Sequence, residues 1–367
     1  MKYGCIFFCN FLMQNLHSPL IITKMKKACC FLLTCFMAIA FTAKAQVETV
    51  DSIRFFTDEG LITMSLATDI RQLQSEKKQD VFQPATVSMK FPDSTVINES
   101  IMVGARGKFR RSYCRIPPMM LNFRNNSSPR LQSLGKLKMV IGCGVASSDE
   151  ELLLKEFLVY KIYNLLEEKS FRVRLLKVNY SDTRNKVKPF DQYAFLIEDD
   201  GDMARRNGCR KKADAKFLTE ATNRDMMTMV AIFQYMIGNT DWAVPNNHNT
   251  KLIYDRSNEK APPYVVPYDF DYCGLVNAEY AIPNELIGTE KVTERVYRGF
   301  PRTMEEIQIT LDIFRAKKDS IIALINNFQL LSNRTKKEML YYLEDFFRII
   351  NNKNEVKSIF IDNARTS

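Results

Sequence analysis

Between Phe82 and Phe123, apolar and polar residues alternate in short β-rich runs: Ala85 to Phe91, Ile101 to Val103 and Met119 to Phe123, broken by turn chemistry such as Pro92-Asp93-Ser94. A period of two marks half-buried strands, so the pattern predicts an antiparallel, strand-dominated region, with another strand over Lys136 to Ile141. The period then changes. Ser148 and Glu151 stand in capping-box spacing ahead of Leu152, Leu153, Phe157, Leu158, Ile162 and Leu165, which predicts one long helix. Strands at Phe171 to Val178 and Tyr193 to Ile197 follow, with a polar turn around Asp182 to Lys188.

Beyond residue 200 the pattern is mainly helical. Asn223 caps a predicted helix with Met226, Met229, Val230, Phe233 and Ile237 on one face, and Gly238 closes it. Two short strands, Lys251 to Tyr254 and Tyr264 to Tyr268, flank a polar turn. A helix with a Thr303/Glu306 capping box carries Ile307, Leu311 and Phe314, and a last helix carries Met339, Leu340, Leu343, Phe346, Phe347 and Ile350. The expected class is α+β: an N-terminal segment over 46–84, a β-rich lobe with one helix over 85–199, and a helical lobe over 200–367.

Composition changes this picture at the N-terminus. Residues 1–45 hold five Lys and no acid, and Met25 opens a basic start, an apolar stretch from Ala28 to Phe41, then Ala43-Lys44-Ala45. That is the layout of a secretory signal peptide behind an upstream extension, cleaved before Gln46, and it predicts a periplasmic or secreted protein. Without the leader no stable membrane span is expected. The formal charge of +10 falls to +5, 47 basic against 42 acidic residues, too mild a surplus for a nucleic-acid partner. Five of nine Cys lie in the leader; Cys114, Cys143, Cys209 and Cys273 show no C-x-x-C spacing, and their pairing stays open. With His17 in the leader, His248 is the one imidazole of the mature chain, which argues against His-rich zinc sites.

The most informative stretch is Gly238-Asn-Thr-Asp-Trp-Ala-Val-Pro-Asn-Asn-His-Asn249, followed by a hairpin and then by Pro267-Tyr-Asp-Phe-Asp-Tyr-Cys-Gly274. A helix ends, a loop presents one Asp and several Asn, two strands fold back, and a second loop presents paired carboxylates. Phosphoryl transfer uses such an order: Asp241 to accept the acceptor hydroxyl's proton, an Asn to ligate a metal, and an Asp after the next strand to bridge metal and phosphates. Asn249, directly before the strand, is preferred as the metal ligand with Asn246 in reserve; Asp269 and Asp271 compete for the second metal role. Hard amide and carboxylate oxygens suit Mg²⁺ or Mn²⁺.

On these residues the chain resembles the spore-coat-protein-H-like (CotH-like) atypical kinases, in the exported form found in Bacteroidetes-like bacteria. Matching elements run over roughly 85 to 300 and include Val103-Gly-Ala-Arg-Gly107, Ala194-Phe-Leu-Ile-Glu-Asp199, Ile237-Gly-Asn-Thr-Asp-Trp242, Val266-Pro-Tyr-Asp-Phe-Asp271 and Arg295-Val-Tyr-Arg-Gly-Phe300. The resemblance implies a two-lobed protein-kinase-like fold, ATP with a divalent metal, and a protein acceptor. It carries over Asp241 as base, and Asn249 with Asp269 or Asp271 as metal ligands. The chain departs from that pattern in having no G-x-G-x-x-G loop. Arg106 and Lys108, beside Gly104 and Gly107, are the candidates to hold phosphates instead. Met119 and Met120 stand where a strand cation is expected, so Lys138 takes that role with Glu156 as its ion-pair partner. The rival reading is a catalytically silent envelope scaffold, a pseudokinase. Sequence says nothing of the oligomeric state.

Overall fold

A computed structural model describes residues 55–76, 81–107, 109–124, 131, 133–212 and 217–365. The leader, the expected cleavage point and Lys108 lie outside the described residues. In chain order the elements are β1 (Ile62–Thr68), α1 (Ile70–Ser75), β2 (Gln83–Lys90), β3 (Val96–Ala105), α2 (Phe109–Tyr113), β4 (Met119–Asn122), β5 (Lys136–Ile141), α3 (Ser147–Leu166), β6 (Val173–Asp182) and β7 (Phe190–Ile197). Then come α4 (Asp200–Arg206), β8 (Cys209–Lys211), α5 (Arg224–Ile237), β9 (Thr250–Asp255), β10 (Tyr264–Pro267), α6 (Met304–Asn327), α7 (Asn333–Ile350) and α8 (Lys353–Lys357).

Seven strands close into a barrel in the order β1-β2-β3-β4-β5-β7-β6, and β10-β9-β8 form a second, three-stranded sheet. The barrel's neighbours are antiparallel except at the seam, where β1 runs parallel to β6 with Ile62 opposite Leu176. Alternation fills the interior: Ile62, Met64, Leu66, Val87, Val103, Leu121, Met139, Val178 and Leu196 belong to one buried cluster. Closure leaves the barrel without a free edge.

The opposite faces of three strands explain the rest. Val140 of β5, Val173 and Leu175 of β6, and Phe195 and Ile197 of β7 belong to a second cluster, which continues through α3 and α5 into α6 and α7. Helix α3 buries Leu153, Leu154, Phe157, Leu158, Val159, Tyr160, Ile162 and Tyr163, more than one face can hold. A helix apolar on most sides is covered on most sides. Here α3 is shared between the barrel's outer wall and the C-terminal helices.

That arrangement corrects the expected two-lobed, protein-kinase-like fold. The strands close into a seven-stranded barrel whose interior is one cluster, while its outer wall and the helices share a second cluster from Val140 to Phe360, and the described residues fall within one compact unit.

Local details follow the sequence unevenly. Asn223 caps α5 by accepting from the Met226 amide at 3.0 Å, and Gly238 closes it with a positive φ of 66°. Helix α3, in contrast, starts at Ser147, and Asp149 rather than Glu151 holds the preceding backbone, accepting from the Ala146 amide at 3.2 Å. Glu151 instead accepts from Thr335 Oγ1 at 2.7 Å, a tertiary bond that outcompetes the local one.

The Thr303/Glu306 box forms as read, with the Thr303 amide donating to Glu306 at 2.7 Å and the Glu306 amide to Thr303 Oγ1 at 3.2 Å. Arg224 also donates to Glu306, at 3.0 Å from Nη2. The Arg224 hydrogen bond and the Thr303 amide hold the Glu306 carboxyl down at about 2, against the usual 4.5. Its stabilisation is therefore present above pH ~4.5 and lost as pH falls towards ~2. Glu306→Gln is expected to lower stability by about 1 kcal/mol at pH 7, and the gap from wild type to narrow through that acid window, read by urea unfolding.

Candidate active site

The end of α5 fixes the first loop. Asn239 is buried, and its Oδ1 accepts from the Asp241 amide at 2.9 Å, while Trp242 Nε1 donates to the Asn239 carbonyl at 3.2 Å. Arg298 clamps the same turn from outside, donating to the carbonyls of Thr240 at 2.6 Å and Trp242 at 2.7 Å, with its guanidinium 5.1 Å from the Trp242 ring centre. A two-bond bridge between Ala243 and His248 folds the loop back on itself. The turn needs left-handed backbone at Asn247 (φ 54°) and Asn249 (φ 51°), and Asn tolerates that region well. The run of Asn residues thus has a conformational reason as well as a chemical one.

These constraints deliver Asp241 with both carboxylate oxygens engaged. His248 Nε2 lies 2.6 Å from Oδ1, and Asn249 Nδ2 donates to Oδ2 at 2.9 Å and to the Asp241 carbonyl at 2.8 Å. Both Asn249 bonds use its amide nitrogen, which leaves Oδ1 as that side chain's available ligand atom. Asn246 is exposed, and its Oδ1 accepts from the His248 amide at 3.2 Å, a turn-closing role.

The second loop is pegged by Phe270, fully buried with ring centres 4.7 Å from Tyr160 and 5.6 Å from Phe233. The Tyr268 amide donates to the Asn249 carbonyl at 3.0 Å, joining the two loops across the base of β9 and β10. Asp269 has a positive φ of 64° and its amide donates to Tyr160 Oη at 2.8 Å. Asp271 is buried and accepts from Tyr280 Oη at 3.0 Å.

Glu156, from α3, enters the same cluster almost fully buried, with Oε1 lacking a hydrogen-bond partner among the described residues. Between Glu156 and Asp271 lies Arg110 of α2: Nη1 is 3.9 Å from Glu156 Oε2 and 3.8 Å from Asp271 Oδ2, and Nη2 donates to the Ile141 carbonyl. Those ionic distances are about 1 Å longer than a charge-assisted hydrogen bond, so one guanidinium compensates two buried carboxylates loosely. A disulfide between Cys114 and Cys143 ties the end of α2 to the end of β5 and so holds Arg110 in place. Cys209 and Cys273 are buried free thiols.

The electrostatics show how crowded the negative charge is. Burial, then the charges of Asp269 and Asp241, push the Asp271 carboxyl up to about 7 despite Arg110 and Tyr280. Burial, then Asp271, raise Glu156 well above the carboxylate range against the pull of Arg110 and Arg106. Asp271 thus feels the charges of Asp269 and Asp241, and Glu156 those of Asp271 and Asp269. Arg106 reaches Glu156 electrostatically and has no carboxylate partner among the described residues; its amide donates to the Pro118 carbonyl at 2.8 Å.

Lys138 takes a different partner from the expected one. It pairs with Asp200 at the start of α4, Nζ to Oδ1 3.2 Å, above the Tyr268 ring at 5.0 Å, while Lys251 shares Asp200 at 3.7 Å. Glu156 is bridged by Arg110 instead. Leu137 and Met139 fill the barrel, so Lys138 leaves on the outer side, where Asp200 at the start of α4 lies within reach.

Arg110 belongs to the basic run of Arg106, Lys108, Arg110 and Arg111, which the sequence offers as a phosphate-holding patch, and it serves instead between two carboxylates. Arg298 lies within Arg295–Phe300 with no role readable from sequence, and Tyr160 and Tyr280 carry no local signal that separates them from core.

Among the described residues, no three His, Cys, Asp or Glu groups converge to hold a metal by themselves. Magnesium does not require such a cage, because it is held by one or two carboxylates with the remaining positions left to water and phosphates. Asn249, Asp269 and Asp271 carry hard amide and carboxylate oxygens, the donor chemistry such a cation takes.

No family model matches the chain, and no curated protein matches it. Among solved structures it is similar to a Helicobacter pylori proinflammatory kinase, CtkA, with TM-score 0.36 and 11% identity over 68% of this chain and 94% of that one. At that level of likeness neither activity nor site residues carry over.

Proposed function

We propose that the protein is an exported phosphotransferase that moves the γ-phosphoryl group of ATP to a hydroxyl of a protein acceptor, with a divalent metal. The observation that carries this reading is the meeting of the two loops. Asn249 bonds both the carboxylate and the carbonyl of Asp241, and the next loop, joined to it through Tyr268, adds Asp269 and Asp271. The sequence resemblance to CotH-like kinases supports the same residues, although the barrel architecture differs from what that resemblance implied.

In this reading Asp241 receives the acceptor hydroxyl. His248 and Asn249 fix its carboxylate plane, so the hydroxyl is oriented before its proton moves to Asp241. Asn249, Asp269 and Asp271 would hold the metal, which when bound neutralises charge on the phosphate oxygens. Arg106 is the cation available for phosphate, since Arg110 is committed to Glu156 and Asp271. Phosphoryl transfer depends mostly on such positioning and charge neutralisation, so a protein without a Gly-rich loop retains the essentials.

The test is transfer of labelled γ-phosphate from ATP with Mg²⁺ or Mn²⁺ to an envelope-protein extract, with the full chain. Metal-dependent labelling is the expected result. A folded protein that labels nothing under any metal condition contradicts the proposal and favours the silent scaffold.

A further inference from the structure

A cleft of about 1270 Å³ opens at one end of the barrel, between α1, the β6–β7 turn and the segment that follows the Cys114–Cys143 disulfide. Its charge is one-sided. Arg71, Arg115, Lys186 and Lys188 line it, and none has a carboxylate partner among the described residues; all four are exposed. Asp69 is the sole acid among the described lining residues, and Arg184 already pairs with it at 2.6 Å.

The walls are fixed. Buried Asp182 accepts from the amides of Ile70 at 2.9 Å, Lys186 at 2.5 Å and Val187 at 3.3 Å, riveting α1 to the turn that carries Lys186 and Lys188. Gln74 Nε2 donates to the Arg115 carbonyl at 2.8 Å, and the Arg115 amide to the Cys143 carbonyl at 3.0 Å. The cleft thus shares its disulfide-tied wall with α2, which sends Arg110 into the carboxylate cluster.

The geometry points to a docking site for an acidic peptide segment, the recognition element of an acidic protein acceptor. This assignment of acceptor class rests on the phosphotransferase reading; the binding itself does not. Four unpaired cations around a concave surface select carboxylates. The volume exceeds the roughly 300–1,000 Å³ of small-molecule pockets. Ile116, Val187 and Phe190 line the cleft without being exposed, so it offers apolar contact to a chain laid inside it, and Val145 is the one exposed large apolar side chain among its described lining residues.

The test uses the full chain without ATP. Fluorescence anisotropy compares a short labelled peptide of Glu and Asp around one Ser with its Gln/Asn counterpart, and sedimentation with phosphatidylglycerol vesicles is the second arm. The acidic peptide is expected to bind at least about tenfold more tightly than the neutral one, with the preference lost in Lys186→Glu/Lys188→Glu. These side chains sit on an exposed turn, and an unchanged melting temperature verifies the fold. Equal binding of both peptides, a preference that survives charge reversal, or vesicle capture abolished by it while the peptide fails to bind would each overturn the proposal. Because no nucleotide is present, failure here is distinguishable from failure of phosphoryl transfer.

Discussion

Asp241→Asn is expected to lower phosphoryl transfer by about 10²- to 10⁴-fold while leaving nucleotide binding within about twofold of wild type. The substitution keeps the side chain's shape and its place between His248 and Asn249, which hold it at 2.6 Å and 2.9 Å. What it removes is the negative charge and the second acceptor oxygen, the two properties that let the group receive a hydroxyl proton. Steady-state kinetics with nucleotide-induced thermal shifts check it. A variant with unimpaired turnover would show that Asp241 has only a structural role in its loop.

The second large effect is on stability. Arg110→Met is expected to destabilise the protein by about 3–5 kcal/mol, because it strips the shared cation from two buried carboxylates. Glu156 and Asp271 are both already raised by burial and mutual repulsion with Arg110 present. Adding Glu156→Gln should restore a large part of the loss, since a neutral amide no longer needs the guanidinium. The double-mutant cycle, followed by denaturant unfolding, then gives a strong favourable coupling between positions 110 and 156. Independent, additive effects would mean that the 3.9 Å ion pair carries no energy.

Several elements were legible because their causes are local. The Asn223 cap, the Gly238 stop and the Thr303/Glu306 box are decided within a few residues, and each forms as read. The order of the two loops around a hairpin was equally visible, since β9 and β10 pair directly with Pro267 opposite Thr250.

The barrel was not legible for the opposite reason. Ile62, Met64 and Leu66 alternate perfectly well with polar neighbours, but nothing in β1 announces that its partner is β6, more than a hundred residues away. The same distance problem hid Thr335 as the partner of Glu151, and it left open which of Cys114, Cys143, Cys209 and Cys273 pair. Helix α3 misled most. Its sequence shows an apolar stripe at helical spacing, whereas its buried residues cover nearly the whole circumference and join barrel to helices. In the site, the resemblance implies Lys138 as the strand cation paired with Glu156 on the following helix; tertiary placement pairs Lys138 with Asp200 and Glu156 with Arg110.

The central claim is that Asn249, Asp269 and Asp271 form a metal-dependent nucleotide site beside the base Asp241. Isothermal titration of the full chain with ATP, in the presence and absence of Mn²⁺, tests it most directly, with Asn249→Ala and Asp269→Ala as controls. The account predicts ATP binding that requires the metal and is weakened at least about tenfold by either substitution, matched by a thermal stabilisation of about 2.7 kcal/mol at a hundredfold excess of ligand over Kd. ATP binding that ignores both metal and substitutions, or no binding by the folded protein, contradicts it.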